Sequence, residues 1–214
     1  MNGDRASEEL KIIRALMERP IRYSTMSGKS AILAGLAALV GLLIDWQVWE
    51  AATWSTFGTA LVLSGVIWTG VLLTALTGTI LLAWLAERRR GLPFWTHAKR
   101  RILAMILPIF LASTGLTAGI VLHCWRKGGS EATGGSELWV LIAPGWMLFY
   151  GVALWQLGLV SEKVVRVLAG AFLAAGVACC LVPALLYNPV LSMGLTFGGF
   201  HLVYGGYVWW RYGG

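Results

Sequence analysis

At 214 residues the chain has the length of one or two soluble domains, yet 57% of it is apolar and only 13% is charged. Long runs with almost no charge cannot be solvated, which excludes an ordinary soluble domain and places those runs in lipid. The net charge of +7 then points to anionic lipid headgroups beside the spans, not to nucleic acid as a partner.

In chain order, residues 1–30 form a polar, basic cytoplasmic segment. Ser7 can cap a helix whose first turn carries Glu8 and Glu9. Leu10, Ile13, Leu16 and Met17 share one face, and Pro20 ends it. A short amphipathic helix on the membrane surface is expected there. The first apolar run begins near Ala31, too late for a cleavable signal peptide, so the first span is expected to serve as the targeting signal.

Six apolar runs follow, over residues 31–49, 57–85, 102–123, 138–160, 165–186 and 190–210. A helix needs about 20 residues to cross the hydrocarbon, and each run suffices. The second is longer than needed and should tilt or project. No run alternates as a strand would, so the fold class is all-α: a polytopic bundle of six transmembrane helices over residues 31–210. Residues 211–214 form a cytoplasmic tail. Pro108, Pro144 and Pro183 suggest kinks in three spans. The loops near 161–164 and 187–189 are short enough to make spans four, five and six tight antiparallel neighbours. The outer loop 128–136, GGSEATGGS, is too short for a domain.

Orientation follows from the basic residues. Fifteen of the 17 Lys and Arg fall in alternate segments; Arg126 and Lys127 alone lie in the others. The split predicts both termini inside. Tryptophans agree: Trp46, Trp49, Trp54, Trp125 and Trp139 fall at expected outer ends, and Trp84, Trp95, Trp155, Trp209 and Trp210 at inner ends. Trp68 and Trp146 fall near mid-membrane and should face other helices. Cys124, Cys179 and Cys180 have no paired or metal-binding spacing and should act as small buried hydrophobes; no metal site is expected.

Small residues let helices approach closely in lipid. Three spans carry such stripes, each with one polar member: Ala34, Ala38, Gly41 and Asp45; Ala112, Gly115, Gly119 and His123; Gly194, Gly198, His201 and Gly205. Steps of three and four keep each set on one face, so Asp45, His123 and His201 should point at other helices. Gly70, Thr74 and Thr77 form a similar stripe in span two. An ionisable group inside a span invites a functional reading, and each also has a structural one. Asp45 lies roughly 7 Å from the outer end of its helix and could reach interfacial water. His123 sits at the boundary. His201, near the midplane, would be neutral and hydrogen-bonded. No cofactor is expected. His123 and His201 differ by roughly 15 Å in depth and cannot share one haem, which leaves single-histidine ligation of haem or a chlorin at His201 as the alternative.

Residues 8–35, EELKIIRALMERPIRYSTMSGKSAILAG, resemble the start of a group of small uncharacterised bacterial multi-pass membrane proteins. Met17, Glu18, Arg19, Ser27 and Gly28 carry the likeness, over about the first sixth of the chain. The resemblance implies a bacterial inner membrane and no particular activity.

No catalytic, nucleotide-binding or phosphate-binding motif is present. Three functions fit. The first is a non-enzymatic membrane subunit or sensor that packs with itself or a membrane partner through the small-residue faces. The second is a small transporter or channel with His201, Asp45, Tyr150 or Tyr204 as the groups handling protons or substrate. The third is a membrane enzyme on lipid or quinone using Asp45, Glu50 and His123.

Overall fold

The structure is a computed structural model that describes residues 27–89, 91, 93–126 and 137–212. The expected N-terminal surface helix and the glycine-rich loop lie outside those residues. Long helices dominate: α1 (Gly28–Glu50), α2 (Phe57–Arg89), α3 (His97–Arg126), α4 (Ile142–Leu159) and α5 (Lys163–Leu181). Two short helices follow, α6 (Pro183–Leu186) and α7 (Pro189–Met193). A π-helical stretch (Gly194–Phe200) then runs into α8 (His201–Tyr212). No strand occurs among the described residues.

Among the described residues, five helices are long and apolar enough to cross a membrane: Gly28–Glu50, Phe57–Arg89, Lys99–Arg126, Leu138–Leu159 and Lys163–Leu181. Their outward surfaces are apolar. Leu43, Val66, Leu111 and Val167 are all more than half exposed, a distribution that water would not tolerate over such an area. This is an integral membrane protein.

Local chemistry sets the boundaries. Ser27 caps α1, its Oγ accepting from the Ser30 amide at 3.2 Å. α2 runs unbroken for 33 residues, the extra length expected of it. Of the three prolines expected to kink spans, only Pro108 lies well inside a helix. Pro144 is in the first turn of α4, where no intrahelical amide bond is lost. Pro183 does not kink the fifth span but ends it: Val182 is extended, as the residue before proline prefers, and Pro183 begins α6. Pro189 starts α7 in the same way.

α1 is central. It packs on α2 along one side and on the π stretch and α8 along another, while α4 and α5 form the most extensive pair. The α1–α8 contact is backbone on backbone. A Cβ on Gly28 would stand 2.7 Å from the Gly205 carbonyl oxygen, and one on Gly205 would stand 2.8 Å from that of Gly28. A Cβ on Gly35 would stand 2.9 Å from the Gly198 oxygen. Gly41 seats Val71, Gly194 seats Leu42 and Gly198 seats Leu39. The stripe expected on span six therefore faces α1, but at Gly28, Ile32, Gly35, Leu39 and Leu42, whereas Gly41 and Asp45 of the stripe expected on span one face α2.

The stripe on α3 turns the other way. Ala112, Gly115, Gly119 and His123 are all exposed, and a Cβ at Gly115 or Gly119 would meet nothing within 4 Å. The expectation that His123 points at another helix is corrected: α3 leans on α4 with its opposite face. Gly70, Thr74 and Thr77 on α2 are likewise exposed. Cys124 and Cys179 are buried as expected, whereas Cys180 is exposed.

The turn between α2 and α3 is closed by a buried ion pair. Lys99 Nζ lies 2.6 and 2.5 Å from the Glu87 carboxylate oxygens, donates to the Phe94 carbonyl at 2.7 Å and stands 4.2 Å from the Phe94 ring centroid. Lys29, Arg88, Arg100, Lys163 and Arg211 lie towards this end of the bundle. The opposite end is an aromatic cluster in which Trp49 stacks on Trp139 at 4.9 Å and Phe57 packs edge-on to both.

The adjacent glycines of α8 test the close approach. Nothing lies within 4 Å of a Cβ on Gly206, so Gly206→Ala should be neutral, or stabilising by up to about 1 kcal/mol through helix propensity. Gly205→Ala should destabilise by about 1–3 kcal/mol. Unfolding of both variants in detergent checks the difference.

Candidate functional site

Two ionisable side chains are buried between the helices, one on each partner of the glycine contact. Asp45 on α1 is 1% exposed and His201 on α8 is 5% exposed. On the register set by Gly28–Gly205 and Gly35–Gly198, His201 is level with Ile32, in the second turn of α1. It thus lies about 13 residues, or roughly 20 Å, along the axis from Asp45. They are separate sites.

Asp45 is held from α2. Ser64 Oγ donates to Oδ1, and the Trp68 indole N–H donates to Oδ2 at 2.7 Å. Trp49 Nε1 donates to Ser64 Oγ at 2.7 Å, which commits the Ser64 proton to the carboxylate. Serine and indole are neutral, and among the described residues no Lys, Arg or His pairs with Asp45. Asp45 also stands in the wall of an almost wholly apolar cavity with Trp49, Trp68, Thr117, Trp139 and Met193, its carboxyl oxygens turned to Ser64 and Trp68. The cavity measures about 60 Å³, room for roughly four waters. It lies at the aromatic end, among α1, α2, α3, α4 and α7.

His201 is enclosed by rings. Tyr150, Phe172 and Phe197 stand 5.5, 5.5 and 6.3 Å from it, centroid to centroid. Its Nδ1 lies 2.8 Å from the Phe197 carbonyl oxygen, which can only accept, so Nδ1 carries the proton. In the neutral ring Nε2 then accepts from the Tyr150 hydroxyl at 2.8 Å. Axial ligation of a haem or chlorin by Nε2 would require Tyr150 to yield this bond. Tyr204, one turn along α8, is buried in the same core.

The remaining sequence candidates do not join these sites. Both Asp45 oxygens are taken by α2 residues, Glu50 is exposed, and His123 faces outward. The Asp45–Glu50–His123 grouping does not form an acid–base constellation here. Sequence reasoning missed Ser64 altogether. It marked Trp68 and Trp146 as tryptophans away from the interface without assigning partners. Trp68 serves Asp45; Trp146 Nε1 donates to Thr117 Oγ1 at 2.9 Å. Among the described residues no group of His, Cys, Asp and Glu could hold a metal ion.

No family model matches the chain, and no curated protein or solved structure matches it.

Tyr150→Phe leaves Nε2 buried without a donor and should cost about 1–3 kcal/mol. His123→Ala, at an exposed position, should stay within about 0.5 kcal/mol of the parent. Thermal denaturation in detergent separates the two.

Proposed function

We propose that the chain is a six-span inner-membrane carrier that binds a small solute beside Asp45. The observation supporting this is a carboxyl group inside a span, buried and fixed by two neutral donors, whose residue stands in the wall of a largely apolar cavity. A carboxylate retained at such cost inside a span needs a purpose. Structural anchoring explains the Ser64 and Trp68 bonds but leaves the cavity unexplained.

The sixth span in this reading is the continuous helical run over residues 189–212, which the π stretch interrupts without breaking. π-Helical turns recur at functional sites because they displace the regular hydrogen-bond ladder. Both termini lie in the cytoplasm under the positive-inside rule, so the Asp45 cavity belongs to the outer half of the membrane. The resemblance of residues 8–35 supports a bacterial inner membrane.

The assembly reading is weakened by where the small-residue faces go. Those on α1 and on the π stretch with α8 are consumed inside the bundle, which leaves the α3 stripe and the Gly70, Thr74 and Thr77 stripe of α2 for a second copy or another membrane protein. A carrier needs no such face.

Access to the cavity tests the proposal. A Cβ on Gly65, which lines it, meets nothing within 4 Å, so a cysteine fits there. In a chain with Cys124, Cys179 and Cys180 replaced, Gly65→Cys should react with neutral methyl methanethiosulfonate added in water, more slowly than exposed Ser55→Cys. A Gly65→Cys thiol inert in the folded protein would overturn the carrier reading.

A further inference from the structure

The turn joining α2 to α3 carries charge that the bundle leaves unpaired. One span ends at Arg89 and the next begins at Lys99, so the turn stands at the membrane surface. Glu87 and Lys99 meet across the two helices at 2.5 and 2.6 Å. Arg88, Arg89, Arg100 and Arg101 are exposed, and among the described residues no acid pairs with any of them.

The facing pair fixes where those four point. One residue along a helix turns a side chain by about 100°. On antiparallel neighbours the step from Glu87 to Arg88 and the step from Lys99 to Arg100 turn towards the same flank. Arg88 and Arg100 therefore share one side of the α2–α3 pair, and a second step carries Arg89 and Arg101 round to the backs of their helices. The rings follow the same division. The Arg88 guanidinium lies 5.0 Å from the centroid of Trp84, and that of Arg100 lies 6.0 Å from the centroid of Trp95. Among the described residues Arg89 and Arg101 rest on no ring. Phe94 stacks on Trp95 at 6.3 Å and also meets Lys99, which ties this wall to the ion pair.

A guanidinium whose face lies on an indole keeps its N–H edge free, and that edge matches two oxygens of a phosphate. Indoles at the end of a span sit at the level of the headgroups, where a phospholipid presents its phosphodiester. The sign of the headgroup follows. Glu87 is the one acid in residues 84–101 and is bound to Lys99, so a zwitterionic lipid would set its ammonium beside guanidiniums. We propose that the flank formed by Arg88 and Arg100, with Trp84 and Trp95 against them, binds the phosphate of an anionic phospholipid. The site is independent of the Asp45 cavity, which lies at the opposite end of the bundle.

Native mass spectrometry of the full chain, released from nanodiscs of phosphatidylglycerol and phosphatidylcholine in equal parts, tests the proposal. The unaltered chain should retain phosphatidylglycerol over phosphatidylcholine by about tenfold, as two charge-assisted contacts to one phosphate allow. Arg88→Gln with Arg100→Gln should remove most of that preference. Arg89→Gln with Arg101→Gln takes the same charge from the same turn and should keep it. Equal retention of the two lipids by the unaltered chain, an outcome that no folding defect of a variant can produce, would overturn the site. So would equal loss in the two double variants, because a diffuse basic surface responds to net charge and not to position. Added ammonium phosphate should leave the lipid adduct in place; a phosphate adduct in its stead would overturn the lipid assignment in favour of the free ion.

Discussion

The structure depends on the contact between α1 and the last helical run, where glycine stands opposite glycine and backbone meets backbone. In lipid, apolar side chains gain little by leaving the solvent, so helices associate through close packing and buried hydrogen bonds. Gly28 with Gly205 and Gly35 with Gly198 provide the first. The same contact sets the register of the two helices and so places Asp45 towards one end of the bundle and His201 towards the other. With α1 held in the centre, α2 can lie along its second side, which brings Ser64 and Trp68 to Asp45.

The two buried ionisable groups are treated differently by their surroundings. His201 sits in a closed ring of aromatic side chains with both nitrogens hydrogen-bonded, and its site is filled. Asp45 has two donors and empty space beside it. Buried polar groups that are fully satisfied by packing rigidify a core, and His201 with Tyr150 fits that description. Asp45 differs in that a cavity borders its residue. This contrast is why the carrier reading rests on Asp45 and not on His201.

Much of the fold was legible in the sequence, and the failures have physical causes. Apolar run length marked the five long spans, since only about 20 apolar residues satisfy the hydrocarbon. Residue spacing correctly grouped Gly194, Gly198 and Gly205, and also Ala112, Gly115 and Gly119. Spacing tells which residues share a face, not which way the face turns, and so the α3 stripe with His123 was expected inward and lies outward. Pro183 was visible as a disturbance, but whether a proline bends a helix or ends it depends on the residue before it adopting an extended backbone, as Val182 does. Within the site, Asp45 and His201 stood out because charge or imidazole inside an apolar run is costly. Trp68 stood out because it was away from the interface. Ser64 carried no signal, since a serine inside a membrane helix ordinarily bonds its own backbone. The π stretch also left no mark that distinguishes its glycines from packing glycines.

The central claim is that a carboxylate inside the bundle is held by an indole of the neighbouring helix. The most direct measurement is the proton–nitrogen spectrum of the protein carrying 15N-indole tryptophan, with the Trp68 side-chain signal assigned by its loss in Trp68→Phe. The account predicts a Trp68 N–H resonance shifted downfield by its carboxylate acceptor, which moves upfield in Asp45→Ala while the Trp209 and Trp210 signals stay in place. A Trp68 resonance at the same position with and without Asp45 would contradict it.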